Sequence, residues 1–184
     1  MSGLAIQLDL PAWAATVDVA GAYPTDEAKL AFAIALSRRN VDAGTGGPFG
    51  AAVFGPDDRV VGLGVNRVEA CRCSVAHAEV MALGASQQAL GRYRLNAGGG
   101  RFVLATSSQP CAMCYGAVIW AGIDLLLVGA RSDDVQSLAH FDEGPLPADW
   151  IGELERRGIA VRRDLSREAA CAVLRSYGGS GLVY

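Results

Sequence analysis

His77 and Glu79, two residues apart, and Cys111 and Cys114, three apart and further along the chain, are the residue types here best suited to metal chemistry. Imidazole and thiolate are zinc ligands, and three of them leave one position of a tetrahedral site open. A water held in that position ionises near neutral pH and becomes a nucleophile, so the set points to hydrolysis. Glu79 lies two residues from a ligand and can reach such a water without replacing it. That suits a general base that later carries the proton to a leaving group. The competing reading is a structural zinc site with Glu79 or a further cysteine as fourth ligand; such sites use four ligands, with cysteine dominant. Cys71 and Cys73 come just before His77, but a Cys-x-Cys spacing matches metal ligation poorly and suits a loop or packing role. Cys171, among Ala169, Ala170 and Ala172, reads as a small buried hydrophobe.

Both halves of this set fall at expected helix starts. One helix is predicted to open near His77 and run to about Leu90, and another to start at Pro110 and stop before Gly122. The positive end of a helix dipole lowers a thiol's pKa and keeps thiolates ready for metal. Around them, Thr25 caps a predicted helix from Asp26 to about Ala43, ended by the segment Gly44 to Pro48. Two β-rich runs, Phe49 to Gly55 and Val60 to Val68, are joined by a hairpin signal, Pro56 to Arg59. Phe102 to Thr106 and the apolar run Ile123 to Val128 flank the Pro110 helix as a strand–helix–strand unit, right-handed by default. A further helix is expected over Trp150 to Arg157 and a short strand over Ile159 to Val161. Ser166 is expected to cap a last helix ending near Tyr177. Residues 1–24 read as an irregular leader with breaks at Pro11 and Pro24, and Gly178 to Gly181 as a flexible hinge before the tail. The expected fold is α/β: one domain over 1–184, a three-layer α/β/α sandwich with a mixed central sheet and an antiparallel hairpin on one edge.

Composition narrows the function classes. A chain of 184 residues with 51% hydrophobic and 19% charged residues can bury a sizeable core. A net charge of −3 and a pI near 5.3 give no electrostatic footprint for nucleic acid. Five cysteines, two at metal spacing, favour a reducing, cytoplasmic compartment over a disulfide framework. The start shows no basic segment followed by an apolar run, so no signal peptide is expected. No apolar stretch approaches the roughly 20 residues of a membrane span.

The order His-x-Glu followed by Pro-Cys-x-x-Cys is the signature of zinc-dependent base deaminases. The chain resembles the cytidine deaminase superfamily and, within it, the bacterial guanine deaminases. That narrower resemblance runs from Gly46-Gly47-Pro48-Phe49-Gly50 through Gly64 to Val68, Gly116 to Ala121, Arg131 to Asp134 and Phe141 to Gly144, and ends at the terminal tyrosine. The resemblance implies hydrolytic deamination of a free nucleobase, guanine to xanthine plus ammonia, with one Zn2+ per subunit held by His77, Cys111 and Cys114. It implies that Asn66 hydrogen-bonds the base edge, that Phe49 stacks on the ring and that Trp120 lines the pocket. Glu79 and Glu143 are the implied catalytic pair, the second meeting the departing amine. It also implies a homodimer that exchanges its C-terminal segment, residues 178–184, so that Tyr184 covers the partner's pocket. Read by themselves, Asn66 also fits a strand-end turn, Phe49 and Trp120 a core, Asp142-Glu143-Gly144 a solvated turn, and the tail a disordered end. Two residues depart from the family pattern: Gln109 stands where a glutamate usually precedes Pro-Cys, and His140 where a glycine precedes Phe-Asp-Glu. They leave open a related aminated ring, such as a modified guanine, cytosine or an amino-s-triazine. A tRNA adenosine deaminase and a catalytically silent zinc module are further alternatives.

Overall fold

The computed structural model describes residues 6–180. After a 3-10 turn at Ala12–Thr16, helix α1 spans Asp26–Asp42, its N-terminus capped by the Thr25 hydroxyl, which accepts from the Ala28 N–H. Strands β1 (Gly50–Phe54) and β2 (Val60–Val65) form the hairpin. Then come α2 (Val68–Cys71), α3 (Ala78–Leu90), a 3-10 turn at Leu95–Gly98, β3 (Val103–Ser108), α4 (Ala112–Ala121) and β4 (Leu125–Ala130). The chain continues through α5 (Ser132–Ala139), α6 (Trp150–Glu155), β5 (Ala160–Arg163) and α7 (Arg167–Gly178).

The sheet order is β2-β1-β3-β4-β5. β1 pairs antiparallel with β2 and β3, whereas β3, β4 and β5 run parallel, so the sheet is mixed with the hairpin at one edge. Helices cover both faces. Leu30, Ala33, Phe54, Ala105, Leu127 and Leu174 belong to one core, and Ala82, Leu104, Val118, Leu126 and Leu154 to the other. Successive residues of β3 and β4 therefore enter opposite cores, which is why β4 reads as an unbroken apolar run and β3 opens on one. This is the expected α/β/α sandwich.

Five local expectations change. The second β-rich run, expected to reach Val68, ends at Val65, and Val68–Cys71 turns into α2 instead. Helix α5 is absent from the sequence reading, because its short sequence opens Ser-Asp-Asp like a loop; Asp134 accepts from the Arg131 N–H and caps it. Helix α4 begins after Pro110, with Cys111 rather than Pro110 at its edge. Ser166 stands before α7 in a left-handed conformation and makes no side-chain cap. Gly178 is the last residue of α7 instead of the start of a hinge: a Cβ there would collide with the Leu138 carbonyl oxygen. It is a glycine because α7 and α5 approach closely.

Two features hold the hairpin in place. Gly62 and Gly64 of β2 let α3 lie directly on the strand, since a Cβ on Gly64 would strike Ala78 O and Ala82 N, and one on Gly62 the Ser86 side chain. Lys29, the chain's single lysine, is only 3% exposed; its ammonium donates to Tyr23 O at 2.6 Å and Asp58 Oδ1 at 2.7 Å. It ties α1 to the leader and to the hairpin turn.

Candidate active site

His77 occupies the N-cap of α3 and Cys111 the N-cap of α4, both with extended backbone, and Cys114 follows in the first turn of α4. Packing the two helices on one face of the sheet brings the three side chains together. His77 Nδ1 lies 3.5 Å from Cys111 Sγ and 3.7 Å from Cys114 Sγ, and all three ligand atoms fall within 4.8 Å of one another. Zinc bonds of about 2.3 Å to sulfur and 2.0 Å to nitrogen, at a tetrahedral angle, separate two ligand atoms by about 3.5 Å. The observed spacings fit zinc. The Cys111 thiol is held down to about 4, first by its hydrogen bond with Cys114 and then by His77. Cys114 is pushed up, because the pair shares one proton, and His77 is raised mainly by its bond to Cys111. This arrangement favours a thiolate at Cys111, the form that binds metal.

A cavity of about 320 Å³ opens beside this cluster, lined by Phe49, Asn66, His77, Glu79, Gln109, Cys111, His140, Phe141, Asp142 and Glu143. Its size is at the lower end of ligand clefts. Glu79, in the first turn of α3, and Glu143, in the loop after α5, are both buried. Burial raises each carboxyl's pKa and the charge of the other site groups adds to it; Glu143 is pushed up to about 8. Backbone bonds fix the Glu143 loop. Glu143 O accepts from the Ala112 N–H at 2.9 Å, at the start of α4, and the Asp142 carboxylate accepts from the Gly144 N–H at 2.9 Å.

Asn66, just past β2, is buried, with its Oδ1 facing the N–H groups of Gly47 and Val68, each at 3.4 Å. Phe49 contacts the edge of Phe141, with ring centroids 5.2 Å apart, and lines the cavity while also packing on both cores. Gln109 and His140 both reach the cavity, and His140 takes a left-handed conformation at the end of α5. Trp120 does not line it. The buried stripe of α4 is Cys114, Val118 and Ala121, and Trp120, two residues past Val118, is turned by about 200° to the other side. It is 78% exposed, so neither a core place nor a place in this chain's own cavity holds for it. Tyr184 lies outside the described residues. Cys71 and Cys73 are half-buried and apart from the cluster, and Cys171 is buried as expected.

Thr106, Phe141 and Asp142 were not legible as site residues. Thr106, on β3, donates to Glu79 Oε1 at 3.2 Å with both groups buried. Its signal was a hydroxyl near the end of an apolar strand leading into Pro110-Cys111, since a buried hydroxyl must find a partner.

The chain matches the cytidine and deoxycytidylate deaminase zinc-binding region over residues 24–130. The guanine deaminase of Bacillus subtilis (strain 168) is 37% identical over 127 residues, covering 69% of this chain and 78% of that protein. A solved structure of the guanine deaminase of Nitrosomonas europaea superposes with a TM-score of 0.87 at 44% identity, covering 95% of this chain and 97% of that one. A solved structure in complex with 2,6-diaminopurine gives a TM-score of 0.91 at 44% identity, covering 98% and 96%. The matched stretch includes both ligand-bearing helices and the strand between them, and the chain belongs to the cytidine and deoxycytidylate deaminase family.

Proposed function

We propose that the chain is a hydrolase of a cyclic amidine C–N bond that converts guanine, as the free base, to xanthine and ammonia. One observation carries this reading: two buried carboxylates, Glu79 and Glu143, share a small cavity with a His-Cys-Cys cluster of zinc dimensions. Relatives named guanine deaminases support the choice of base. His77, Cys111 and Cys114 would hold one zinc ion per subunit, which when bound would supply an acidified water as the nucleophile. Glu79 takes the proton of the attacking water and delivers it to the ring. Glu143, in its protonated form, gives its proton to the amine as the C–N bond breaks and ammonia leaves. The hydroxyl added to that carbon gives up its own proton to the emptied carboxylate as the carbonyl forms, which restores Glu143. Thr106 fixes one oxygen of Glu79, whose carboxyl lines the cavity. Asn66 reads the base edge and Phe49 faces its ring.

The protein acts as a homodimer in this reading, and it binds no nucleic acid and no membrane. Exposed Trp120 and Tyr93, on a surface shared with Val80, Leu83 and Ala117, support a partner surface. Exchange of the C-terminal segment, with Tyr184 as lid, rests on the family resemblance. Free thiols at all five cysteines support a cytoplasmic setting.

Zinc-loaded protein should release ammonia from guanine. Glu79→Gln should keep its zinc and lose about 10²–10⁴-fold in rate; a fully active variant would overturn the assignment. A related aminated ring is the second reading, favoured by the position of Gln109 and His140, both on the cavity wall. Ammonia from a triazine or cytosine, with none from guanine, would select it.

A further inference from the structure

Asn66 and Phe49 form one wall of the cavity, and a continuous hydrogen-bond network runs from that wall to the leader. Asn40, fully buried on α1, donates through Nδ2 to Gly47 O at 2.9 Å and to Asn66 O at 3.0 Å. Its Oδ1 accepts from the Thr45 hydroxyl at 2.8 Å. That hydroxyl in turn accepts from Trp13 Nε1 at 3.0 Å, and the Arg39 guanidinium lies 4.7 Å over the Trp13 ring. Arg67, next to Asn66, donates to Thr45 O at 2.5 Å and to Asp9 O at 3.0 Å. The wall closes on itself through Asn66 N to Phe49 O at 3.1 Å and Gly47 N to Asn66 Oδ1 at 3.4 Å.

We propose that Asn40 is a positioning residue for the base-binding wall, and that Thr45, Trp13 and Asp9 brace it from the leader. The inference rests on Asn66 and Phe49 contacting the base. A fully buried amide beside Leu36 and Ser37 on α1 needs partners for its polar atoms, and both its Nδ2 and its Oδ1 have them. Asn40 bonds both the Gly47 carbonyl before Phe49 and the Asn66 carbonyl after β2. It sets the separation of the two segments that face the base. Asp9 and Trp13 precede the residues matched to the family, 24–130, so the brace is contributed by the leader.

Removing Asn40 strands two buried carbonyls and endangers the fold, so the softer variant Thr45→Val carries the test, with Thr45→Ser as its rescue. Thr45→Val should raise KM for guanine about fivefold to tenfold, as expected for about one hydrogen bond, and leave kcat and zinc content within about twofold. Thr45→Ser should return KM to the wild-type value. Trp13→Phe, which deletes only the indole N–H, should shift KM in the same direction by less. Amide exchange in the unliganded protein should rise over residues 44–50 and 66–68 in Thr45→Val and fall back in Thr45→Ser. An unchanged KM together with unchanged exchange in Thr45→Val would overturn the proposal. So would a loss confined to kcat. If the wild type does not deaminate guanine, the assigned reaction fails and the exchange comparison alone decides whether the network holds the wall.

Discussion

Glu143 and Glu79 share a buried cavity, and burial raises both carboxyls; the charge of Cys111 adds to Glu79, and that of Glu79 adds to Glu143. With Glu143 pushed up to about 8, it holds a proton below that pH and loses it as the pH rises through that value. A bound dication draws the value down. Turnover that needs this proton should therefore fall along an alkaline limb centred at or below about pH 8. Glu143→Gln should lower kcat by about 10²-fold, keep its zinc and abolish that limb, as pH–rate profiles of the two proteins will test. A Glu143→Gln profile that keeps the limb assigns it to another group. His77, Glu79, Cys111 and Cys114 were legible because metal chemistry constrains spacing over a few residues. Thr106 and Asn40 were not, because their partners come from other elements. Trp120 was misplaced because an apolar residue on a mostly apolar helix does not reveal which side it faces.

At the scale of elements, the metal cluster depends on how closely α3 lies on β2. Gly64 permits that approach against the first turn of α3, immediately after His77. Gly64→Ala should destabilise the fold by roughly 1–3 kcal/mol through overpacking and shift His77 away from the two cysteines. Denaturant unfolding and zinc stoichiometry will measure the two effects together, and full zinc occupancy with wild-type stability would refute the packing role. Helices α5 and α7 are joined by a two-pronged pair, Arg167 Nε and Nη2 each 2.7 Å from an Asp134 oxygen. The Arg167 guanidinium holds Asp134 down to about 2, below the ordinary carboxylate value, so the unfolded chain takes up this proton first. The pair's stabilisation is complete above about pH 4 and is lost as the pH falls through about 2. Thermal unfolding should show Asp134→Asn less stable than wild type at pH 6, with the difference shrinking at pH 2. The hairpin, the strand–helix–strand unit and the two ligand-bearing helices were legible from apolar runs and turn residues. Helix α5 was not: its stability comes from packing on α7 and from the Asp134 cap, and its own sequence is polar enough to pass for a loop.

At the scale of the whole molecule, two cores enclose a mixed sheet, and the leader is bound to the rest at Lys29, at Arg67 and at Trp13. The Lys29 pin has a practical consequence. The chain's only side-chain amine is sealed between α1, the leader and the hairpin turn. Amine-directed acylation of the folded protein should leave Lys29 unmodified, and each lysine adduct found by peptide mass spectrometry would record a molecule that had opened. Under slow labelling, the rate of that single mark becomes a clock for excursions that separate the leader and hairpin from α1. Fast modification of Lys29 in the native protein would mean that this seam opens far more readily than the core beneath it.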